Sequence, residues 1–212
     1  MIEAIIFDLD GVLIHTDHYH YLAWKKLADD ESIYFDQEIN NRLRGVSRME
    51  SLDIILEKAG KVYSEYEKLV LATKKNEIYR ESLKTLTPSN LDATIKAFLL
   101  TLKSKNIKIA IGSSSKNAKM ILTQIGIIDL FDAISDGTNI TYSKPHPEVF
   151  LKASEMLGVS VDKCAVVEDA KAGIDAANAG GFLSIGIGDA NKYDQTKIKI
   201  NELSEILNLF EN

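Results

Sequence analysis

Ala4-Ile5-Ile6-Phe7-Asp8-Leu9-Asp10-Gly11 opens the chain with an apolar run that stops on two carboxylates. A run of this kind reads as a buried strand. Side chains alternate along a strand, so Asp8 and Asp10 point the same way unless the turn at Gly11 splays them apart. One carboxylate of such a pair can attack as a nucleophile or hold a hard cation, while the other carries a proton. Alone, the pattern is equally that of an apolar strand ending in polar turn residues. Three further segments supply the chemistry that a working pair needs.

Beyond Ala4–Phe7, the runs Ile107–Ile111, Cys164–Val167 and Phe182–Ile187 are β-rich and nearly continuous in apolarity. Continuous runs fit parallel strands covered on both faces. Helical stretches lie among them: Leu91–Lys105 with Ser89 and Asn90 as caps, Asn117–Ile125 ending at Gly126, Pro147–Leu157 ending at Gly158, and Ala170–Ala179. This alternation predicts an α/β fold with a doubly wound, Rossmann-like parallel sheet. Residues 16–87 differ, with helical patterns over Tyr19–Asp30, Asp36–Leu43, Arg48–Ala59 and Glu65–Leu83 and no strand. They read as an inserted all-helical cap domain, leaving residues 1–15 and 88–212 as the core, with one closing helix over 201–212.

The second strand runs through Ile111-Gly112 into Ser113-Ser114-Ser115-Lys116-Asn117, ahead of a helix. Hydroxyls and backbone N–H groups at a helix start suit an anion. A plain helix cap needs one such residue rather than three serines. Ser143-Lys144-Pro145-His146-Pro147 sets an ammonium between prolines that restrict the backbone. A held ammonium suits a phosphoryl group or an anionic nucleophile, although a proline-rich turn with a solvated lysine reads the same way. The third strand, Cys164–Val167, ends in Glu168-Asp169. Adjacent carboxylates there are costly to gather without a shared cation. Oxygen ligands from Asp8, Asp169 and Glu168 suit Mg²⁺. Ligands of open α/β sheets bind outside the carboxyl ends of the strands, where these segments all lie.

Composition limits the alternatives. The 212 residues carry 25 Lys and Arg against 31 Asp and Glu, a net charge of −6, which argues against nucleic acid as a partner. The single cysteine, Cys164, excludes an intrachain disulfide and favours a reducing compartment. No stretch approaches a membrane span and no signal peptide is seen, so we expect a cytoplasmic protein with no membrane partner.

The four segments in this order resemble the haloacid dehalogenase superfamily, whose members mostly transfer phosphoryl groups. Phe7–Val12, Tyr19-His20, Ala23-Trp24, Gly45-Val46-Ser47-Arg48, Lys75-Asn76, Ser115-Lys116-Asn117 and Lys144-Pro145 narrow the resemblance to its phosphohexomutases, in register from about residue 2 to residue 187. The resemblance implies that Asp8 attacks phosphorus and that Asp10 is the general acid and base. It places Mg²⁺ on Asp8, the Asp10 backbone carbonyl and Asp169, with Glu168 nearby. Ser113 and Lys144 would bind the transferring phosphoryl oxygens, with Ser114 and Asn117 close by. Arg48 would grip the phosphate that is not reacting, and Trp24, Gly45, Val46, Ser47, Ser51 and Lys75 would shape the sugar pocket. Several of these have structural readings as well. Ser47-Arg48-Met49-Glu50 is a capping box, Trp24 has the spacing of a core residue, and Lys75 falls in a solvated-looking helix face. His15 stands where the family usually has Asp, and Ser114 where it often has Ala.

The expected activity is interconversion of β-glucose 1-phosphate and glucose 6-phosphate by a monomer, through an aspartyl phosphate and a 1,6-bisphosphate. Its partners are then a sugar phosphate and a bisphosphate. A sugar-phosphate phosphatase on the same scaffold is the alternative. A non-catalytic descendant would have lost one of Asp8, Asp10, Lys144 or Asp169, and all are present.

Overall fold

The structure is a computed structural model that describes residues 2–43 and 46–210. The chain divides into two compact units, Met1–His15 with Leu86–Asn212, and Thr16–Thr85.

In the first unit, β1 (Ala4–Phe7), β2 (Lys108–Gly112), β3 (Ala133–Ser135), β4 (Cys164–Glu168), β5 (Leu183–Gly186) and β6 (Ile198–Lys199) form one sheet in the order β3-β2-β1-β4-β5-β6. Every pairing is parallel. The doubly wound sheet expected from the apolar runs is therefore the one that forms. Ile5, Ile6 and Phe7 of β1 are fully buried, because β1 is central and paired on both edges. Phe7 is level with Ile111 on one side and Val167 on the other. The residues just beyond these three strand ends therefore meet where the winding reverses, which is where open α/β sheets bind ligands.

One face of the sheet is packed by α7 (Glu148–Leu157) and α8 (Lys171–Ala179), with Phe150 and Phe182 in an edge-to-face contact at 6.2 Å. Phe7 makes a perpendicular contact with Phe98 of α5 (Ala93–Ser104) at 6.1 Å. The short α6 (Ala118–Gln124) follows β2.

The second unit is helical: α1 (Asp17–Asp30), α2 (Gln37–Asn41), α3 (Arg48–Leu56) and α4 (Glu65–Leu83). Trp24, Leu27, Leu52, Ile55 and Leu71 belong to its core cluster. Ser47 and Ser64 start α3 and α4 with complete capping boxes closed by Glu50 and Glu67. Arg42 grips Glu57 through two hydrogen bonds of 2.8 Å.

Some local expectations change. Asp92, not Ser89 or Asn90, caps α5, its carboxylate accepting from the Thr94 N–H, while Pro88–Asn90 forms a 3-10 turn. The closing helix expected over 201–212 is present over Leu203–Phe210 and is of the 3-10 type. The edge strands β3 and β6, of three and two residues, are too short to leave a periodic signal.

Candidate active site

The Asp8 N–H donates to the Val167 carbonyl at 2.9 Å, so sheet pairing continues one residue past β1 and fixes the Asp8 backbone. The chain then folds tightly on itself. Gly11 N–H donates to the Ile14 carbonyl at 2.8 Å, and Gly11 has φ of +81°. That conformation favours glycine, and a second constraint adds to it: a Cβ there would land on the Asp169 carboxylate. The glycine of the opening motif thus makes room for an acid from another strand.

Asp8, Glu168 and Asp169 are all buried, and their ligand oxygens lie within 4.8 Å of one another. The Asp10 carboxylate is not part of this cluster; Asp10 is half-buried in the turn. Lys144 reaches the cluster from the β3–α7 connection, donating to Asp8 at 2.5 Å and to Glu168. Its ammonium also lies 4.8 Å from the centre of the Phe150 ring. Burial alone would lower the Lys144 pKa, but the carboxylates of Asp8 and Glu168 outweigh it and hold the ammonium above its ordinary value. Burial pushes the Asp8 and Glu168 carboxyls up against the pull of Lys144. The charges of Asp8 and Asp169 raise Glu168 further.

Among the described residues, Asp8, Glu168 and Asp169 gather carboxylate charge in a buried space that the Lys144 ammonium enters at Asp8 and Glu168. Charge of that kind is disfavoured unless it is paired or bound to metal. The donor set is oxygen only, which is the chemistry of a hard divalent cation. The residues present therefore fit Mg²⁺.

Ser113 lies one residue past β2 and is 3 % exposed. Its N–H donates to the Ser135 carbonyl at 3.1 Å, and its Oγ accepts from the Ser115 N–H at 3.2 Å. Ser115 Oγ in turn accepts from the Asn117 N–H at 3.2 Å, and Asn117 is buried at the start of α6. Ser114 Oγ is buried with no hydrogen-bond partner among the described residues. The three serines are thus used differently, and only two of them brace the loop.

The helical unit holds its own polar cluster. Lys75 is 2 % exposed, and its ammonium lies 4.7 Å from the ring centres of both Trp24 and Tyr79. Its Nζ is 2.8 Å from His20 Nδ1. An ammonium only donates, so Nδ1 accepts and the neutral ring carries its proton on Nε2. Burial, then the charges of Lys75 and Arg48, holds the His20 imidazole well below its ordinary value. His20 also stacks on Tyr79 at 4.0 Å, and Tyr79 shares a 2.9 Å hydrogen bond with Thr16. Lys75 is not the solvated residue that its sequence neighbours imply.

Val46, Ser47 and Arg48 are half-buried and Ser51 is buried. Ser47 Oγ accepts from the Glu50 N–H at 3.3 Å, so the capping reading holds for its hydroxyl. Desolvation lowers the Arg48 guanidinium, and no carboxylate pairs with it among the described residues. Gly45 lies outside the described residues. Trp24 is a core residue of the unit whose ring also faces the Lys75 ammonium.

Two residues that shape this site leave no signal of it in the sequence. Gly173 sits inside α8, where a Cβ would land on the Glu168 carboxyl group. Glu148, at the first turn of α7, ties down the connection that carries Lys144.

A parallel α/β sheet with an acid cluster and a buried lysine at its switch point defines a class, and the chain belongs to it: it is a member of the haloacid dehalogenase-like hydrolase family, whose sequence profile matches residues 2–181. Among characterised proteins it is 43 % identical over 206 residues to the β-phosphoglucomutase of Bacillus subtilis, covering 96 % of this chain and 91 % of that one. The crystal structure of a Clostridium difficile β-phosphoglucomutase superposes with a TM-score of 0.90 at 43 % identity, covering 97 % of this chain and 93 % of the other. A phosphorylated carbohydrates phosphatase of Thermotoga maritima is 30 % identical over 187 residues, covering 86 % of this chain and 83 % of its own.

Proposed function

We propose that this chain is a Mg²⁺-dependent β-phosphoglucomutase, interconverting β-glucose 1-phosphate and glucose 6-phosphate through an aspartyl phosphate and a glucose 1,6-bisphosphate. Identity of 43 % to β-phosphoglucomutases over most of both chains supports the substrate class. The observation that carries a mutase over a phosphatase is Arg48, a desolvated guanidinium with no carboxylate partner among the described residues. A phosphatase acting on a monophosphate needs one anion grip. A mutase holds a bisphosphate and needs a second, for which guanidinium geometry is suited.

In this reading the phosphoryl group begins on Asp8. The sugar 6-hydroxyl attacks phosphorus, Asp10 accepts its proton, and the bond from phosphorus to the Asp8 oxygen breaks. In the second half an Asp8 oxygen attacks the phosphorus on O1, the bond from phosphorus to O1 breaks, and Asp10 returns the proton to O1. Lys144 and Ser113 bind the transferring oxygens, with Ser114 and Asn117 beside them. Arg48 takes the phosphate that is not reacting. Trp24, Gly45, Val46, Ser47, Ser51 and Lys75 shape the sugar pocket. Asp8, the Asp10 backbone carbonyl and Asp169, with Glu168 nearby, would hold Mg²⁺, which supplies charge neutralisation between the nucleophile and the phosphoryl oxygens. Positioning and charge carry most of the rate in such transfers.

The test is ³¹P NMR of the protein with Mg²⁺, β-glucose 1-phosphate and a trace of glucose 1,6-bisphosphate. A growing glucose 6-phosphate signal without inorganic phosphate is expected. Inorganic phosphate alone would move the chain to the phosphatases.

A further inference from the structure

Lys144 sits in the middle of a long connection, from Asp136 after β3 to Glu148 at the start of α7. Few of the connection's own side chains are buried; Tyr142, Pro145 and His146 are exposed. Ile140 alone packs against the core cluster, well before Lys144, and the Lys144–Pro145 peptide is cis. Polar ties do the placing instead. The Glu148 carboxylate accepts from the Thr141 N–H at 2.9 Å and the Tyr142 N–H at 2.7 Å, both on Oε2. Its other oxygen pairs with Lys152 at 2.8 Å. The Glu148 N–H donates to His146 Nδ1 at 3.2 Å, and the His146 N–H donates to the Ser143 carbonyl at 3.0 Å. Glu148 thus closes on the connection both before and after Lys144. The bonds from Lys152 and the Thr141 and Tyr142 amides hold its carboxyl down at about 2, so it stays ionised across the working range.

We propose that Glu148 is a positioning residue for Lys144: one oxygen of its side chain fixes the backbone on which the lysine reaches Asp8 and Glu168. The effect on rate rests on the phosphoryl-transfer reading above, whereas the tie itself is independent of it. An ammonium displaced by an ångström no longer meets the transferring oxygens, although the sugar grip is untouched.

Two variants isolate that oxygen. Glu148→Gln keeps an oxygen able to accept both N–H groups and gives up the ion pair with Lys152. Glu148→Met keeps the length and removes the acceptor. Hydrolysis of p-nitrophenyl phosphate, a generic phosphoester, reads the transfer without depending on the sugar. For Glu148→Met we expect kcat to fall about ten- to a hundredfold with KM within about twofold, as for a misplaced catalytic group, and Glu148→Gln to recover most of the rate. Amide exchange at Thr141 and Tyr142, and acylation of Lys144 by acetic anhydride read by peptide mass spectrometry, should accelerate in Glu148→Met alone. Unchanged kcat with accelerated exchange would overturn the positioning role, and unchanged exchange would overturn the tie. Equal losses in the two variants would also overturn it. If Glu148→Met and Glu148→Ala both fail to fold while Glu148→Gln folds, the oxygen is a folding requirement and the proposal fails. If the unaltered protein transfers no phosphoryl group, the proposed function fails, and exchange and acylation alone decide the tie.

Discussion

A methyl group on Gly173 would occupy the space that the Glu168 carboxyl group fills. Gly173 lies within α8, where alanine would otherwise be preferred by about 1 kcal/mol. The acid is therefore accommodated at the expense of helix propensity. Gly173→Ala has the methyl and the carboxyl competing for one position, an overpacking cost of about 1–3 kcal/mol that offsets the helical gain. We expect near-neutral or modestly lower stability, with the concentration of Mg²⁺ needed for half-maximal activity raised about tenfold or more as Glu168 is displaced. Urea unfolding and a Mg²⁺ titration measure the two effects separately.

Lys144→Met removes the ammonium that pairs with both Asp8 and Glu168. Breaking a buried pair by deleting one partner costs about 3–5 kcal/mol, because the remaining charge is uncompensated. Removing one preorganised donor to a transferring group costs about 10²–10³ in kcat. Thermal unfolding with and without Mg²⁺ should show a lower Tm for the variant, partly restored by the cation. A variant as stable as the parent without Mg²⁺ would contradict the ion-pair account.

Arg48→Ala tests the second anion grip. Losing charge-assisted bonds of about 1.5–3 kcal/mol predicts a fall of about ten- to a hundredfold in kcat/KM for β-glucose 1-phosphate. Hydrolysis of p-nitrophenyl phosphate, which has one phosphate, should be nearly unchanged. Equal losses on both substrates would remove Arg48 from substrate binding.

His20 sets a pH dependence. Its ordinary pKa is 6.5 and the folded state lowers it, by burial and by the charges of Lys75 and Arg48. Below 6.5 the unfolded chain takes up a proton that the folded imidazole does not. Stability is therefore full above this value and is lost as pH falls toward the lower folded pKa. Urea midpoints measured from pH 7.5 to 5 should decline, and His20→Gln should flatten that decline. A slope identical in the variant would show that other groups carry it.

Chelation is the simplest test of the acid cluster. EDTA should abolish phosphoryl transfer, and Mg²⁺ should restore it and raise Tm, since a cation that binds only the folded site stabilises it by mass action.

Much of this was legible in the chain. The continuous runs at Ala4–Phe7, 107–111, 164–167 and 182–187 fit parallel strands covered on both faces, and β1, β2, β4 and β5 lie on them. Asp8 and Asp169 directly follow strands and Glu168 ends one, so their convergence could be read from the pattern. Local chemistry was equally readable at Ser47, whose capping box is written in four residues.

Other features had no sequence signal because they depend on contacts between distant segments. Lys75 lies in a run of polar residues, yet the packing of α4 against α1 buries it among Trp24, Tyr79 and His20. Gly173 looks like any small residue in a helix until Glu168 is set beside it. Glu148 looks like an ordinary acid in a first turn until the Thr141 and Tyr142 N–H groups reach it. The amino-acid order alone determined the fold class, the family and the identity of the core acids, since these rest on periodicity and on residues adjacent to strand ends. Only the tertiary structure decided which charges are desolvated, which are paired and which side chains hold them in place. Burial and pairing arise from segments far apart in sequence, and they exist only once the chain has closed.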